Sequence, residues 1–120
     1  MTLSLAHLTY DCANAMKLAT FWSAVIDQPV DGDANEFFAT IGLRSEHPLQ
    51  PAWMFIQVPE GKTAKNRLHI DFKTTDLAGE VARVVALGAT KLGDFNEFGT
   101  TWTTLLDPEG NEFDIGAGMA

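Results

Sequence analysis

Apolar residues follow helical spacing in two stretches of the chain. Each stretch is preceded by one strand-like segment and followed by several more. Between Asn14 and Ile26, the residues Leu18, Phe21, Trp22, Val25 and Ile26 recur at i, i+3, i+4, i+7 and i+8, which is one face of a helix. Asn14 stands where an N-cap belongs, and Pro29 keeps the helix from continuing. A second helix is predicted from Asp76 as N-cap to Leu87, with Leu77, Val81, Val84 and Val85 on one side and Gly88 as its stop. Strands are predicted at 3–11, 36–43 and 53–58, then at 67–74, 90–95, 100–106 and 112–115. Asp31-Gly32-Asp33 and Asp107-Pro108-Glu109-Gly110-Asn111 read as turns, and the polar segment 59–66 reads as an internal linker.

The element order strand–helix–strands therefore occurs twice. His69 follows His7 by 62 positions (69 minus 7), and Asp76 follows Asn14 by the same offset (76 minus 14). The expected architecture is α+β: two βαβββ modules, 1–59 and 66–120, in a single domain. Along 67–74, Leu68, Ile70 and Phe72 take one strand face, while Arg67, His69, Asp71 and Lys73 take the other. His7, Thr9 and Asp11 share a polar face of the first strand, fit to line a wet cleft. Trp53, Phe55 and Gln57 also share a face. If Gln57 faces the cleft, so do the two aromatics. With Trp102 and Asp71 they would then line a pocket for a flat or apolar small molecule.

Composition narrows the classes. The chain has 120 residues, 46% hydrophobic and 20% charged, which suits one small globular domain. Its longest apolar run, 52–56, is far short of the roughly 20 residues of a membrane span. The first residues lack the basic and apolar regions of a secretion signal, and the lone Cys12 excludes an internal disulfide framework. A cytoplasmic setting follows. Eight basic against sixteen acidic residues give a net charge of −8, so nucleic acid is not expected as a partner. With no apolar run of spanning length, a membrane is not expected as a partner either. The negative surface serves solubility, and it also suits a cationic ligand.

Several motifs carry a family resemblance. His7-x6-Asn14-x6-Phe21-Trp22, then KNRLHIDF (65–72), LGA (87–89) and above all DPEGNEFDI (107–115) resemble the vicinal oxygen chelate superfamily. Its branches include glyoxalase I, bleomycin-resistance proteins, fosfomycin-resistance enzymes and extradiol dioxygenases; the match here is to a glyoxalase-like subgroup. The resemblance implies curled mixed sheets around an open cleft, with metal ligands facing it from the first and last strands of each module: His7, Gln57, His69 and Asp114. Asp114 departs from the pattern, since the metalloenzymes usually carry the longer Glu there. Two imidazoles and a carboxylate suit a divalent ion such as zinc, nickel, iron or manganese. The implied activity is that of a lyase or isomerase on a small oxygenated substrate, with Asp114 or a metal-bound water handling the proton. A metal-free protein that sequesters a small compound, as in the bleomycin-resistance branch, is the alternative. An iron-dependent dioxygenase also matches the two-His-one-carboxylate set but usually needs a longer chain. His47, in a Pro-flanked loop, is expected on the surface, and a homodimer is expected to cover sheet edges and apolar surface.

Overall fold

The computed structural model describes residues 2–117. The chain divides into two compact units, 1–61 and 62–120. Both are mixed α+β, one helix with one mixed sheet.

In the first unit, β1 (His7–Cys12) leads into α1 (Ala15–Ile26), followed by β2 (Phe38–Ile41) and β3 (Ala52–Gln57). The sheet order is β1-β3-β2, with β1 parallel and β2 antiparallel to β3. Asn14 caps α1, its side chain accepting from the Lys17 N–H at 3.0 Å. The apolar face of α1 closes over the sheet: Trp22 and Leu18 have no exposure, and Tyr10, Trp22, Trp53 and Phe55 form a ring cluster with centroids 5.4–6.1 Å apart. The strand expected to start at residue 3 starts at His7. Leu3 and Leu5, 83% and 59% exposed, bury nothing, so their alternation does not order a ladder. No fourth ladder strand forms in this unit among the described residues. The segment after Pro29 meets β2 at the Val30–Ile41 bridge alone, and the Asp31 carboxylate takes over from there. Asp31 is buried, and one of its oxygens accepts from Thr40 Oγ1 at 2.7 Å and from the N–H groups of Leu43 and Arg44 at 2.9 and 3.1 Å.

The second unit runs β4 (Ile70–Lys73), α2 (Leu77–Leu87), β5 (Thr90–Glu97), β6 (Thr100–Leu106) and β7 (Glu112–Ala117). The sheet order is β4-β7-β6-β5, with β4 parallel to β7 and the other pairs antiparallel. Asp76 caps α2, accepting from the Gly79 N–H at 3.0 Å. Strand β4 begins three residues later than expected, because Leu68 is 79% exposed and packs on nothing that would hold a ladder there. The Asp107–Asn111 turn is tied by a buried side chain: Asp107 Oδ1 accepts from the N–H groups of Glu109 and Asn111 at 2.9 and 3.0 Å, and Oδ2 from Asn111 Nδ2 at 2.9 Å. Gly110 takes φ +87 in this turn, a conformation that favours glycine. The turn thus sets where β7 begins, and with it the position of Asp114.

Candidate metal centre

Strand parity decides what each sheet face can do. In the second unit, Leu105 and Phe113 are register partners without exposure, as are the buried Thr103 and Ile115. Thr101 and Thr103 line a cavity together with Leu77, Val81 and Val85 of α2, so the odd-numbered positions of β6 look toward the helix. The opposite face carries Asp71, Asp114, Thr104, Trp102 and Phe95.

On that open face three ligand-type side chains converge. The ladder sets Asp71 directly beside Asp114, and His69 precedes β4 on the same face. His69 Nδ1 lies 2.6 Å from Asp71 Oδ1 and 3.8 Å from Asp114 Oδ2. One ligand atom from each of the three lies within 4.8 Å of the others. Thr104, the register partner of Asp114 on β6, donates its hydroxyl to Asp114 Oδ1 at 2.7 Å. The second oxygen, Oδ2, is the one on the His69 side. The Asp114 side chain is 14% exposed, against 39% for His69 and 46% for Asp71. Like charges directly opposite across a ladder are destabilising, and a cation between the two carboxylates removes that cost. A His69 nitrogen and an Asp114 carboxylate oxygen form a donor pair suited to zinc, iron or manganese. The short bond between Asp71 and His69 is the carboxylate–histidine pairing that fixes a ligating ring's orientation. The residues present therefore fit a divalent ion.

The first unit places the other sequence-predicted residues differently. His7 opens β1, exposed, on the face away from α1 with Thr9 and Asp11. Gln57 stands on the opposite face of the same sheet. It pairs in register with buried Cys12, and its Nε2 donates to the Ala13 carbonyl at 3.0 Å, beside the start of α1. The expectation that His7 and Gln57 present ligands together is thus corrected. Trp53 packs on Trp22 and Phe55 stacks on Tyr10, which itself lies on Trp22, and Gln57, two residues on, follows their parity. The same packing corrects their expected role as pocket lining, since Phe55 has no exposure and Trp53 has 8%. Beside His7, β3 offers Ala52, Met54 and Ile56 instead. Trp102, half-buried, lies on the open face of the second unit, stacked on Phe95 at 5.4 Å and 19°. His47 is exposed, as expected. Thr104 escaped the sequence reading, because its partnership with Asp114 exists only once β6 and β7 are in register.

The profile of the glyoxalase-like domain family matches residues 7–116. The chain belongs to this family. Solved structures of the glyoxalase/bleomycin resistance/dioxygenase superfamily share the fold of this glyoxalase-like domain. A family enzyme from Burkholderia phytofirmans PsJN aligns with TM-score 0.76 at 15% identity, covering 98% of this chain and 100% of its own. The fosfomycin resistance protein FosX from Mesorhizobium loti aligns with TM-score 0.72 at 16% identity, covering 99% and 95%. A mutant of FosX from Listeria monocytogenes, complexed with Mn(II) and dihydroxypropylphosphonic acid, aligns with TM-score 0.69 at 13% identity, covering 98% and 90%. At these identities the likeness shows the fold alone. No curated protein matches the chain by sequence. No helix among the described residues is long and apolar enough to cross a membrane.

Proposed function

We propose that this glyoxalase-like domain binds a divalent metal ion through His69 and Asp114 and acts as a lyase or isomerase on a small oxygenated substrate. The observation that carries the reading is the convergence of His69, Asp71 and Asp114 on the open face of the second sheet. The Mn(II) complex of its structural neighbour FosX supports the choice of a hard divalent ion. A bound ion would supply Lewis-acid polarisation of a substrate oxygen. The chain's own residues do the rest. Asp71 holds the His69 ring by its bond to Nδ1. Thr104 holds one oxygen of Asp114 and leaves the other on the His69 side, and Asp114 or a water molecule on this open face would take up and return a proton of the substrate. A cytoplasmic homodimer belongs to the same proposal, and sedimentation at micromolar concentration tests the dimer.

The test is metal analysis of protein purified without an affinity tag. His69→Ala and Asp114→Ala are expected to lose the ion and any turnover, while His47→Ala keeps both. A second reading, a metal-free binder of a cationic compound, is favoured by one observation: the two carboxylates share their face with the Phe95–Trp102 stack, and acid next to aromatic suits a cation. In that case no metal is retained, and Asp114→Asn weakens a cationic ligand in a salt-dependent way.

A further inference from the structure

The open face of the second sheet continues from the His69–Asp114 cluster into a cavity of about 530 Å³, within the size range of small-molecule sites. Thr104 belongs to both: its hydroxyl holds Asp114, and its side chain lines the cavity. Leu92 and Phe95 of β5 form the apolar part of the wall, 56% and 42% exposed. Phe95 does not pack into the core between sheet and helix. One face of its ring lies on Trp102, at 5.4 Å between centroids and 19° between planes. Gly93, on the same face of β5, sets no side chain of its own beside the ring: a Cβ there would come to 3.5 Å from Phe95 Cε2 and Cζ.

The remaining wall is electrically balanced. Lys62 and Lys65 face Glu109 and Glu112, two charges of each sign. Glu112 is bonded to Lys62 Nζ at 3.1 Å and accepts from the Asn66 N–H at 2.7 Å, so it holds the 62–66 segment in place as one wall. A balanced wall gives a charged ligand no net attraction, whereas an exposed aromatic face and a leucine reward an apolar, planar one.

We propose that this cavity is a specificity subsite for an uncharged planar substituent, seated on Phe95 and Leu92, of a ligand whose oxygen-bearing end reaches His69 and Asp114. The oxygen end rests on the metal reading above; the ring contact does not. The test uses two hydroxamates with the same oxygen chelate, benzohydroxamate and acetohydroxamate, titrated calorimetrically into the full chain loaded with Mn(II). Wild-type protein is expected to bind the phenyl compound at least about tenfold more tightly, the discrimination usual for apolar pockets. Phe95→Ala, and independently Leu92→Ser, which removes the other apolar contact from an exposed position, should reduce that preference to within about threefold and leave metal content unchanged. Equal affinity of wild-type protein for the two compounds overturns the proposal. So does a phenyl preference that survives in both variants, or one whose loss tracks a change in oligomeric state. If the protein takes up no Mn(II), the metal reading fails by itself; the same titrations on metal-free protein still read the ring contact, with the same variants expected to abolish the phenyl preference.

Discussion

Both units lay one helix on one mixed sheet, yet the two helices close their sheets to very different degrees. Helix α1 buries Ala15, Leu18, Ala19, Phe21, Trp22 and Val25, while α2 buries Val84 alone. In the first unit the aromatic residues of β1 and β3 point toward the helix and lock the parity of every neighbour, Gln57 included. In the second, the helix-facing side holds Leu105, Phe113 and Ile115 but no Trp or Tyr, and the opposite side carries His69, Asp71, Asp114 and an exposed Phe95. The contrast teaches where chemistry finds room. Tight packing on one face fixes the backbone, and a functional group needs the other face, or a thinly packed region, to stay accessible.

The largest expected effect tests that difference in packing. Trp22→Ala should cost about 3–5 kcal/mol, while Val84→Ala, the matching core truncation under α2, should cost about 1–2 kcal/mol. Denaturant unfolding measures both, and equal costs would break the comparison.

Next is Asp31, which ties the 42–44 segment of the first unit. Burial raises its pKa, but the bonds from Thr40 and from the backbone N–H groups of Arg44, Leu43 and Gly42 outweigh this and hold it below the ordinary value. A depressed carboxylate stabilises the fold above its unfolded pKa, and that stability is lost as pH falls through the folded value. Asp31→Ala should therefore cost about 1.5–3 kcal/mol at neutral pH. The gap from wild type should shrink once the pH falls below about 4, the unfolded range for Asp. A gap independent of pH would remove the charge from the explanation.

Thr104→Val comes third. It keeps shape but removes the hydroxyl that holds Asp114. Metal affinity should fall about 10–100-fold, the range for losing an outer hydrogen bond to a ligand, and Thr104→Ser should restore it. Competition with a chelator of known affinity reads the change. The smallest effect is expected at Lys62→Met. Its ion pair with Glu112 lies at the rim of the second unit, so stability should change by less than about 1 kcal/mol.

Much of this was legible in the chain. Helical spacing located α1 and α2 with their Asn14 and Asp76 caps, and alternation around Ile70 and Phe72 put His69 and Asp71 on one face. The DPEGNEFDI run marked Asp114, and the buried Asp107 explains why that turn is so distinctive. Gln57 was misplaced because alternation says which residues share a face, not which face is buried. Trp53 settles that only through its contact with Trp22, a partner some thirty residues away in sequence. Asp31 reads as an ordinary turn residue until its burial is seen. Thr104 and Phe95 gain their roles from strand register, which local pattern does not encode.

The central claim is that His69 and Asp114 hold a divalent ion. Chelator-stripped, tag-free protein should be dialysed against Mn(II) and, separately, Zn(II), beside His69→Ala and Asp114→Ala. The account predicts stoichiometric retention by wild-type protein and loss in both variants, with folding unchanged by circular dichroism. Wild-type protein that takes up no ion at millimolar supply, or variants that retain as much as wild type, would contradict it.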